Sequence, residues 1–472
     1  MAEHLTPDIC VIGAGSGGLS VAAAAAAFGV PVVLIEKGKM GGECLNTGCV
    51  PSKSLIAAGK RARAITDAAA FGVSTQAADI DFAKVHRHVH GVIAAIAPND
   101  SKERFNGLGV RVIEGAARFK DRNTVVVNAT EIAARRFVVA TGSSPALPPI
   151  AGLDHVPYLT NETVFDLTAR PEHLIVIGAG AIGLELAQAF CRLGSAVTVL
   201  EAAEPLARED KECAAIVLDA LAREGVAIRS HVAIARVEAA GTKIKAVLGD
   251  GETAIEGSHL LIATGRKANT EGLALEAARI ACDRNGIKVN KGLKTSNRRV
   301  YAIGDVAGRG QFTHLANYHA GLVIRNALFR LPVKVNADLV PRVTYTDPEL
   351  AHVGLTESEA RKRRLAIRVL RWPYHENDRA QTECETVGHI KVLTDRRGKI
   401  LGATIVGAAA GELITAWTLA ISRGLNIRAL AGMIVPYPTL AEIGKRAAVT
   451  YFLPSVTSVW VRRIIVFLRR FG

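Results

Sequence analysis

The chain has 472 residues, of which 49% are hydrophobic and 22% charged, and its net charge at pH 7 is +14. This length exceeds what one hydrophobic core serves, so we expect several domains, and the hydrophobic content excludes a disordered chain. The positive charge is mostly dispersed and no nucleic-acid-binding motif accompanies it, so we predict no nucleic-acid partner.

The N-terminal region and the cysteine content indicate a cytoplasmic protein. The first predicted strand begins at residue 9 with no cationic and apolar leader before it, and no apolar run is long enough to span a bilayer. Of the seven cysteines only Cys44 and Cys49 are close in sequence, which argues against the disulfide framework of a secreted protein.

Residues 8–38 have the pattern strand, glycine turn, helix, strand. In the turn, Gly13 permits the tight bend, Gly15 lets the backbone approach a pyrophosphate and Gly18 allows the helix to pack closely. Glu36 closes the second strand, where a carboxylate can hydrogen-bond a ribose. The segment therefore predicts a dinucleotide-binding site.

The same unit recurs at residues 173–201, with Gly178, Gly180 and Gly183 in the turn and Glu201 at the end of the second strand. Two such units far apart in sequence predict two dinucleotide-binding domains. A carboxylate at Glu201 would repel the 2′-phosphate of NADPH, so we predict that NADH is preferred over NADPH.

Cys44 and Cys49 lie in a glycine-rich segment, 41–53, just after the first unit. Thiol exchange needs one sulfur to attack and a second to resolve, and we expect both cysteines on one face at a helix start, where amide dipoles lower a thiol pKa. The flanking glycines and Pro51 disfavour two ordinary core cysteines. A zinc site would need further ligands, and none is suitably spaced, so we predict a redox pair and no metal site.

Four further segments, 140–142, 263–266, 301–305 and 343–349, join these motifs. With them the chain resembles, over residues 6–452, the class I pyridine nucleotide-disulfide oxidoreductases, the flavoprotein family of dihydrolipoamide dehydrogenase, glutathione reductase and mercuric reductase. The resemblance implies that FAD occupies the first site, with Asp305 holding the ribityl chain, and that the nicotinamide cofactor occupies the second.

The resemblance also implies the residues that bind each cofactor. For FAD these are Gly13, Gly15, Gly18, Glu36, Lys37, Gly42, Lys53, Ala116, Thr141, Gly142, Ser143, Gly304, Asp305 and Ala316. For NAD they are Gly178, Gly180, Gly183, Glu185, Glu201, Val232 and Gly265.

In this family electrons pass from NADH through the flavin to a disulfide, here Cys44–Cys49. The resemblance implies that Cys49 lies nearer the flavin as a charge-transfer thiolate, while Cys44 exchanges with the substrate. It also implies that Lys53 and Glu185 form a pair beside the reactive face of the flavin, with an ordinary surface ion pair as the alternative.

The segment 435–442 departs from the pattern of dihydrolipoamide dehydrogenase and glutathione reductase. Those enzymes carry a His-Pro at this point, at the subunit interface, and a Glu five residues after the His. Here Tyr437 replaces the histidine and Glu442 is retained. A tyrosine is a poor base at neutral pH, although Tyr437 can also serve simply in interface packing. Mercuric reductases share a tyrosine near this point, but their C-terminal cysteine pair has no counterpart after Cys384.

We therefore predict an FAD-dependent NAD(P)H oxidoreductase that passes electrons through the Cys44–Cys49 pair to a metal ion, a quinone or a small thiol-reactive acceptor. The catalytic candidates are Cys44, Cys49, Lys53, Glu185, Tyr437 and Glu442. Dihydrolipoamide dehydrogenase is the alternative, and a membrane-surface electron-transfer or redox-sensing flavoprotein is a second one.

The predicted fold class is α/β, with two Rossmann-like dinucleotide-binding domains and a C-terminal α+β dimerisation domain that forms a homodimer. We expect an FAD domain at 1–145, an NAD(P) domain at 146–270, a return segment completing the FAD domain at 271–341, a dimerisation domain at 342–455 and a basic amphipathic tail at 456–472. The tail can lie on an anionic membrane, on its inner face, or pack on the partner subunit. The dimerisation domain should hold an antiparallel sheet with strands around Val343 and at 367–370, 388–393 and 400–406, and helices at 411–422 and 439–451.

Overall fold

The computed structural model describes residues 3–456 and 458–471. A five-stranded parallel sheet forms around the first glycine turn, because its inner strands are continuous apolar runs that bury both faces, while the edge strand at 110–114 alternates buried and exposed residues. Its strands, in spatial order, are Val300–Ala302, Arg136–Val139, Ile9–Ile12, Val32–Glu36 and Val110–Glu114. The strand at 300–302 comes from beyond the second nucleotide-binding unit and places the segment after it at the same sheet edge as the first glycine turn.

A second parallel sheet of four strands surrounds the second glycine turn. Its strands, in spatial order, are Ala227–Arg229, Ala196–Leu200, His173–Ile177 and His259–Ile262. In each sheet the strand that leads into the glycine turn is central, so the turn lies at the carboxyl edge with a neighbouring strand on either side. This is the edge at which open parallel sheets bind ligands.

The C-terminal sheet has five antiparallel strands, in the order Arg342–Thr344, Glu349–Gly354, Ile400–Gly407, His389–Asp395 and Ile367–Pro373. The helices Ala410–Ser422 and Glu442–Thr450 pack on it. The sequence predicted four of these strands to within a few residues, but not Glu349–Gly354, whose first residue ends the 343–349 segment.

The other sheets are small. They comprise Glu3–Leu5, Thr130–Ile132, Val125–Val127 and Arg118–Phe119; Ile234–Ala240, Lys243–Leu248 and Ala254–Gly257; Arg266–Ala268 with Ser143–Pro145; and Cys282–Asp283 with Gly286–Ile287. Short 3₁₀ turns lie at Ala68–Phe71, Ala97–Asp100, Leu153–His155, Val164–Asp166, Gly304–Ala307, Ala337–Leu339 and Tyr374–Glu376.

The helices connect and cover these sheets, and the two that follow the glycine turns are Ser16–Ala27 and Ala181–Arg192. The other helices are Gly42–Asn46, Cys49–Asp67, Phe82–Ile96, Lys102–Gly107, Lys211–Arg223, Thr313–Ala327, Glu357–Lys362, Asp378–Thr382, Ala410–Ser422, Ile427–Ala431, Glu442–Thr450, Leu453–Val456 and Val459–Leu468. Across the described ranges, no helix combines the length and apolar character needed to cross a membrane. The two parallel sheets and the C-terminal antiparallel sheet confirm the predicted α/β fold class.

Buried charges join the second nucleotide-binding unit to the C-terminal sheet. The ammonium of Lys391, on that sheet, lies 2.9 Å from Asp210, 3.1 Å from Glu212 and 2.7 Å from Glu357. Burial alone would lower the pKa of Lys391, but its hydrogen bonds to Glu357 and Asp210 outweigh this effect and raise it. Lys391 is therefore a charged, fully partnered contact between the two units.

Candidate active site

The two glycine turns share one backbone geometry. Gly13 has φ +105° and Gly178 has φ +108°, a region that favours glycine. A Cβ on Gly18 would lie 1.8 Å from the carbonyl oxygen of Gly13, and one on Gly183 would lie 2.0 Å from that of Gly178. Larger residues are therefore excluded from both turns for the same steric reason.

Both helices that follow the turns begin with bare amide groups. Gly15 and Gly180 are their N-caps, with φ −78° in each case, and neither end has a side-chain cap. Unpaired amides at a helix N-terminus, together with the helix dipole, favour a phosphate group. A Cβ on Gly42 would lie 2.6 Å from the Cα of Gly15, so the cysteine-bearing segment runs directly against the first turn.

The two acidic residues hold equivalent positions. Glu36 accepts a hydrogen bond from the amide of Ala14 at 2.5 Å, and Glu201 accepts one from Ala179 at 2.7 Å. Val232 lies beside the second acid, its amide donating to the carbonyl of Glu201 at 3.0 Å. Each carboxylate thus fixes its glycine turn and lies at the sheet edge where a ribose would bind.

The other candidates for FAD binding meet at the carboxyl edge of the first sheet. Thr141, Gly142 and Ser143 follow one strand, and Gly304 and Asp305 follow the next. The hydroxyl of Ser143 donates to the carboxylate of Asp305 at 2.5 Å. Burial raises the pKa of Asp305, against the opposing effect of this hydrogen bond.

The remaining candidates for cofactor binding lie just after the ends of strands, or pack against a residue that does. Ala316 packs on Gly304: a Cβ added to Gly304 would lie 3.2 Å from the Cβ of Ala316. Lys37 and Ala116 are exposed, just beyond the ends of two strands of the first sheet, and Gly265, with φ +122°, follows a strand of the second sheet. Each parallel sheet thus has a glycine turn, an uncapped helix N-terminus and a carboxylate at its carboxyl edge. These features fit a bound dinucleotide at each of the two sheets.

Cys44 and Cys49 lie on two different helices. Cys44 is in the short helix Gly42–Asn46, whereas Cys49 is the first residue of Cys49–Asp67. Gly48 separates them with a non-helical backbone of φ −126° and ψ −113°. The expectation that both lie on one face at a helix start was therefore wrong, because each lies in the first turn of a separate helix.

The two thiols nevertheless interact, and their pKa values move apart. A hydrogen bond from Cys44 is the largest factor lowering the pKa of Cys49 to about 6, and Lys53 and the hydroxyl of Thr313, 3.4 Å away, add to this effect. The same hydrogen bond, together with burial, raises the pKa of Cys44. Cys49 is therefore the thiolate of the pair at neutral pH, and Cys44 carries the proton.

Lys53 and Glu185 form a partly buried ion pair beside the cysteines. The ammonium of Lys53 lies 2.7 Å from the carboxylate of Glu185, whose side chain is only 5% exposed. Glu185 also accepts from the amide of Tyr345 at 2.9 Å, and Lys53 lies 4.4 Å from the centroid of that ring. This burial distinguishes the pair from an ordinary surface ion pair.

Several residues at the site were not singled out from the sequence. Arg266 lies 2.5 Å from the carboxylate of Glu43 and donates to the hydroxyl of Ser143 at 2.8 Å, while Asn161 donates to Glu43 at 3.0 Å. Burial raises the pKa of Glu43 to about 7, with Arg266 opposing the shift. Arg266 is the last residue of the 263–266 segment and Glu43 adjoins Cys44, but the local sequence does not indicate that these two residues meet.

Tyr437 and Glu442 lie in the dimerisation segment, and no hydrogen bond joins Tyr437 to Cys44 or Cys49 within the described part of one subunit. Tyr437 is 68% exposed. Its hydroxyl donates to the carboxylate of Asp378 at 2.7 Å, which raises the pKa of Tyr437. Glu442 begins the next helix. Tyr437 is thus a neutral phenol, and the sequence did not indicate Asp378 as its partner.

The separation of the thiol pKa values predicts a titration near pH 6. In enzyme with both thiols reduced, the ultraviolet absorbance of the Cys49 thiolate should be present above about pH 6 and disappear as the pH falls below it. The variant Cys49→Ser should lack this transition, and Cys44→Ala should shift it upward because the hydrogen bond from Cys44 is lost. A wild-type enzyme whose first thiolate appears only near pH 9, the ordinary range, would contradict the assignment.

The chain belongs to the pyridine nucleotide-disulphide oxidoreductase family. The model of that family matches residues 7–320, and the model of its dimerisation domain matches residues 340–448. The protein is therefore an FAD-dependent pyridine nucleotide-disulfide oxidoreductase that binds FAD and NAD(P), and the dimerisation domain supports a homodimer.

Among its relatives, a mercuric reductase from Lysinibacillus sphaericus is 37% identical over 449 residues, covering 94% of this chain and 82% of the relative. A dihydrolipoyl dehydrogenase from Thermus scotoductus is 37% identical over 457 residues, covering 93% of this chain and 95% of the relative. Among solved structures, the Cu(II) complex of the HOCl-induced flavoprotein disulfide reductase RclA from Escherichia coli has a TM-score of 0.84 and 28% identity, covering 93% of this chain and 98% of that one. LpdA from Mycobacterium tuberculosis has a TM-score of 0.87 and 28% identity, covering 94% of this chain and 99% of LpdA.

Proposed function

We propose that this enzyme uses NADH to reduce a metal ion, a quinone or a small thiol-reactive acceptor through the Cys44–Cys49 pair. The observation that carries the proposal is the pair itself: two adjacent thiols, one with its pKa lowered to about 6 and the other with a raised pKa. Such a pair can hold two electrons as one thiolate and one thiol.

FAD, which the first glycine turn and Asp305 would hold, would supply the electron pair of a hydride taken from NADH. Two electrons and one proton break the bond between the sulfurs of Cys44 and Cys49, leaving a thiolate at Cys49 and a thiol at Cys44. Lys53, its charge balanced by Glu185, contributes to the low pKa of Cys49. The two sulfurs then give both electrons to the acceptor, such as one Hg(II) or two Cu(II) ions, and their bond reforms with release of the proton from Cys44.

The nature of Tyr437 favours an acceptor that needs no imidazole base. Exchange with a dithiol such as dihydrolipoamide requires a base to take protons, and a phenol hydrogen-bonded to Asp378, with a raised pKa, is unsuited to this. A metal ion or a quinone carries no thiol proton of its own, so only the proton of Cys44 has to leave. The mercuric reductase relative and the Cu(II) complex of RclA support a metal ion as one of these acceptors.

Dihydrolipoamide dehydrogenase is the second candidate, favoured by the similarity to the Thermus scotoductus enzyme and by the retained Glu442. NADH oxidation measured with Cu(II), Hg(II), a benzoquinone, lipoamide and oxidised glutathione in parallel separates the two. The proposal expects turnover with the metal ions or the quinone and almost none with lipoamide. Rapid reduction of lipoamide with little turnover of the others would make the enzyme a lipoamide dehydrogenase.

We also propose that NADH is the preferred reductant, because the carboxylate of Glu201 is hydrogen-bonded to the second glycine turn, at the sheet edge where a ribose would bind. The variant Glu201→Gln keeps a hydrogen-bond acceptor for the amide of Ala179 but removes the charge. We expect the wild-type enzyme to favour NADH in kcat/KM, and the variant to lose roughly tenfold of that preference. The matched variant Glu204→Gln, at an exposed site nearby, should leave the ratio unchanged. An NADPH preference in the wild-type enzyme would contradict the proposal.

A further inference from the structure

The tail ends in a helix, Val459–Leu468, with unusually exposed apolar side chains. None of its residues is buried, and Trp460 is 73% exposed. Five consecutive apolar residues, 464–468, are each more than half exposed, and Phe471 just beyond the helix is 75% exposed. The helix therefore has an apolar surface that the rest of its own subunit does not cover.

The side chains of this segment divide into two faces. At about 100° per residue, Arg462, Arg463, Arg469 and Arg470 fall within an arc of about 120°, because the second pair follows the first by seven residues. Seven apolar residues occupy an opposite arc of about 160°: Trp460, Val461, Ile464, Ile465, Phe467, Leu468 and Phe471. Two smaller apolar residues, Val459 and Val466, fall within the arginine arc. The tail is thus strongly amphipathic, with all of its charge positive.

The charge around the tail has one sign. No aspartate or glutamate follows Glu442, whereas Lys445, Arg446 and the four tail arginines lie in that stretch. A partner subunit that covered the apolar face would leave the four arginines in water, where their charge would add little to the contact. An anionic bilayer surface contacts both faces at once, because its phosphates face the arginines while its acyl chains receive the apolar side chains.

We propose that residues 458–471 lie in the plane of an anionic lipid surface, with Trp460 and Phe471 inserted at the two ends of the apolar face and the arginines on the phosphate groups. A helix of ten residues is about 15 Å long, half the thickness of the hydrocarbon core, so it rests in the interface rather than spanning it. The enzyme would thereby be held at a membrane surface.

Co-sedimentation of the full-length, FAD-loaded protein with vesicles tests this proposal. Vesicles of phosphatidylcholine with about 30% phosphatidylglycerol should retain the protein at least tenfold more strongly than phosphatidylcholine alone, because each arginine near an anionic surface contributes about 1 kcal/mol. The Trp460 emission should shift to shorter wavelength on binding, since the ring leaves water, and this shift should disappear in Trp460→Phe.

Three variants make the result specific. Deletion of residues 456–472, or Arg→Gln replacement of the four tail arginines, should reduce binding at least tenfold while NADH-driven reduction of a soluble acceptor is unchanged. A matched loss of four charges elsewhere, at the exposed Lys362, Arg363, Arg364 and Arg397, should reduce binding less than about twofold.

Failure of the full-length protein to bind anionic vesicles, or equal binding by the deletion variant, would overturn the proposal. If the deletion also converted the dimer to a monomer in sedimentation velocity, the tail would belong to the subunit interface instead. These outcomes do not depend on which acceptor the enzyme reduces.

Discussion

Replacing Cys44 with serine is expected to lower NADH-driven reduction of the acceptor by at least about a thousandfold. NADH should still reduce the flavin, because both glycine turns and the Lys53–Glu185 pair are untouched. The loss arises because Cys49 alone cannot pass on two electrons by reforming a disulfide. Stopped-flow absorbance of flavin reduction, followed by steady-state turnover, measures the two steps separately.

Cys282→Ser is the matched control for this variant, since Cys282 is also a free cysteine and is exposed on a short hairpin outside the site. It should retain turnover within about twofold. Full turnover by Cys44→Ser with every acceptor that the wild-type enzyme uses would mean that the acceptor takes electrons from the flavin directly.

Replacing Lys391 with methionine is expected to destabilise the protein by about 3–5 kcal/mol. The methionine keeps much of the apolar stem, but the buried carboxylate of Asp210 would lose its cation, whereas Glu212 and Glu357 would keep Arg371 at 2.8 and 3.8 Å. Because Asp210 is also buried, water cannot readily replace the lost ammonium. Thermal unfolding of the FAD-loaded protein, followed by circular dichroism, measures the loss.

Lys102→Met provides the comparison, because Lys102 pairs with Glu114 at 3.0 Å on the surface, where a single ion pair contributes at most about 1 kcal/mol. Equal unfolding temperatures for Lys391→Met and Lys102→Met would show that the buried cluster does not stabilise the contact between the second nucleotide-binding unit and the C-terminal sheet.

The features that the sequence predicted well are those that depend on local steric requirements. The glycine turns at Gly13 and Gly178 follow from positions that no other residue can occupy, and the strands that lead into them are short, continuous apolar runs. The break between Cys44 and Cys49 was not predicted, because the non-helical backbone of Gly48 is not evident from the spacing of the cysteines.

The parts of the site that were missed depend on contacts between distant segments. Arg266 and Glu43 are separated by 223 residues, and Tyr437 and Asp378 by 59. Glu43 and Arg266 each lie in a recognisable segment, and Tyr437 lies in another, but nothing in the local sequence indicates which partner each one meets. Such pairs become visible only once the sheets have brought the segments together.

Anaerobic titration of the FAD-loaded enzyme with NADH, followed by absorbance, tests most directly whether the cysteine pair holds the electrons. The first equivalent of NADH should produce a long-wavelength charge-transfer absorbance from the Cys49 thiolate, absent in Cys49→Ser, and Cu(II), Hg(II) or a quinone should discharge it while lipoamide does not. If the first equivalent instead bleaches the flavin with no such absorbance, the pair takes up no electrons and the proposed route through Cys44 and Cys49 is wrong.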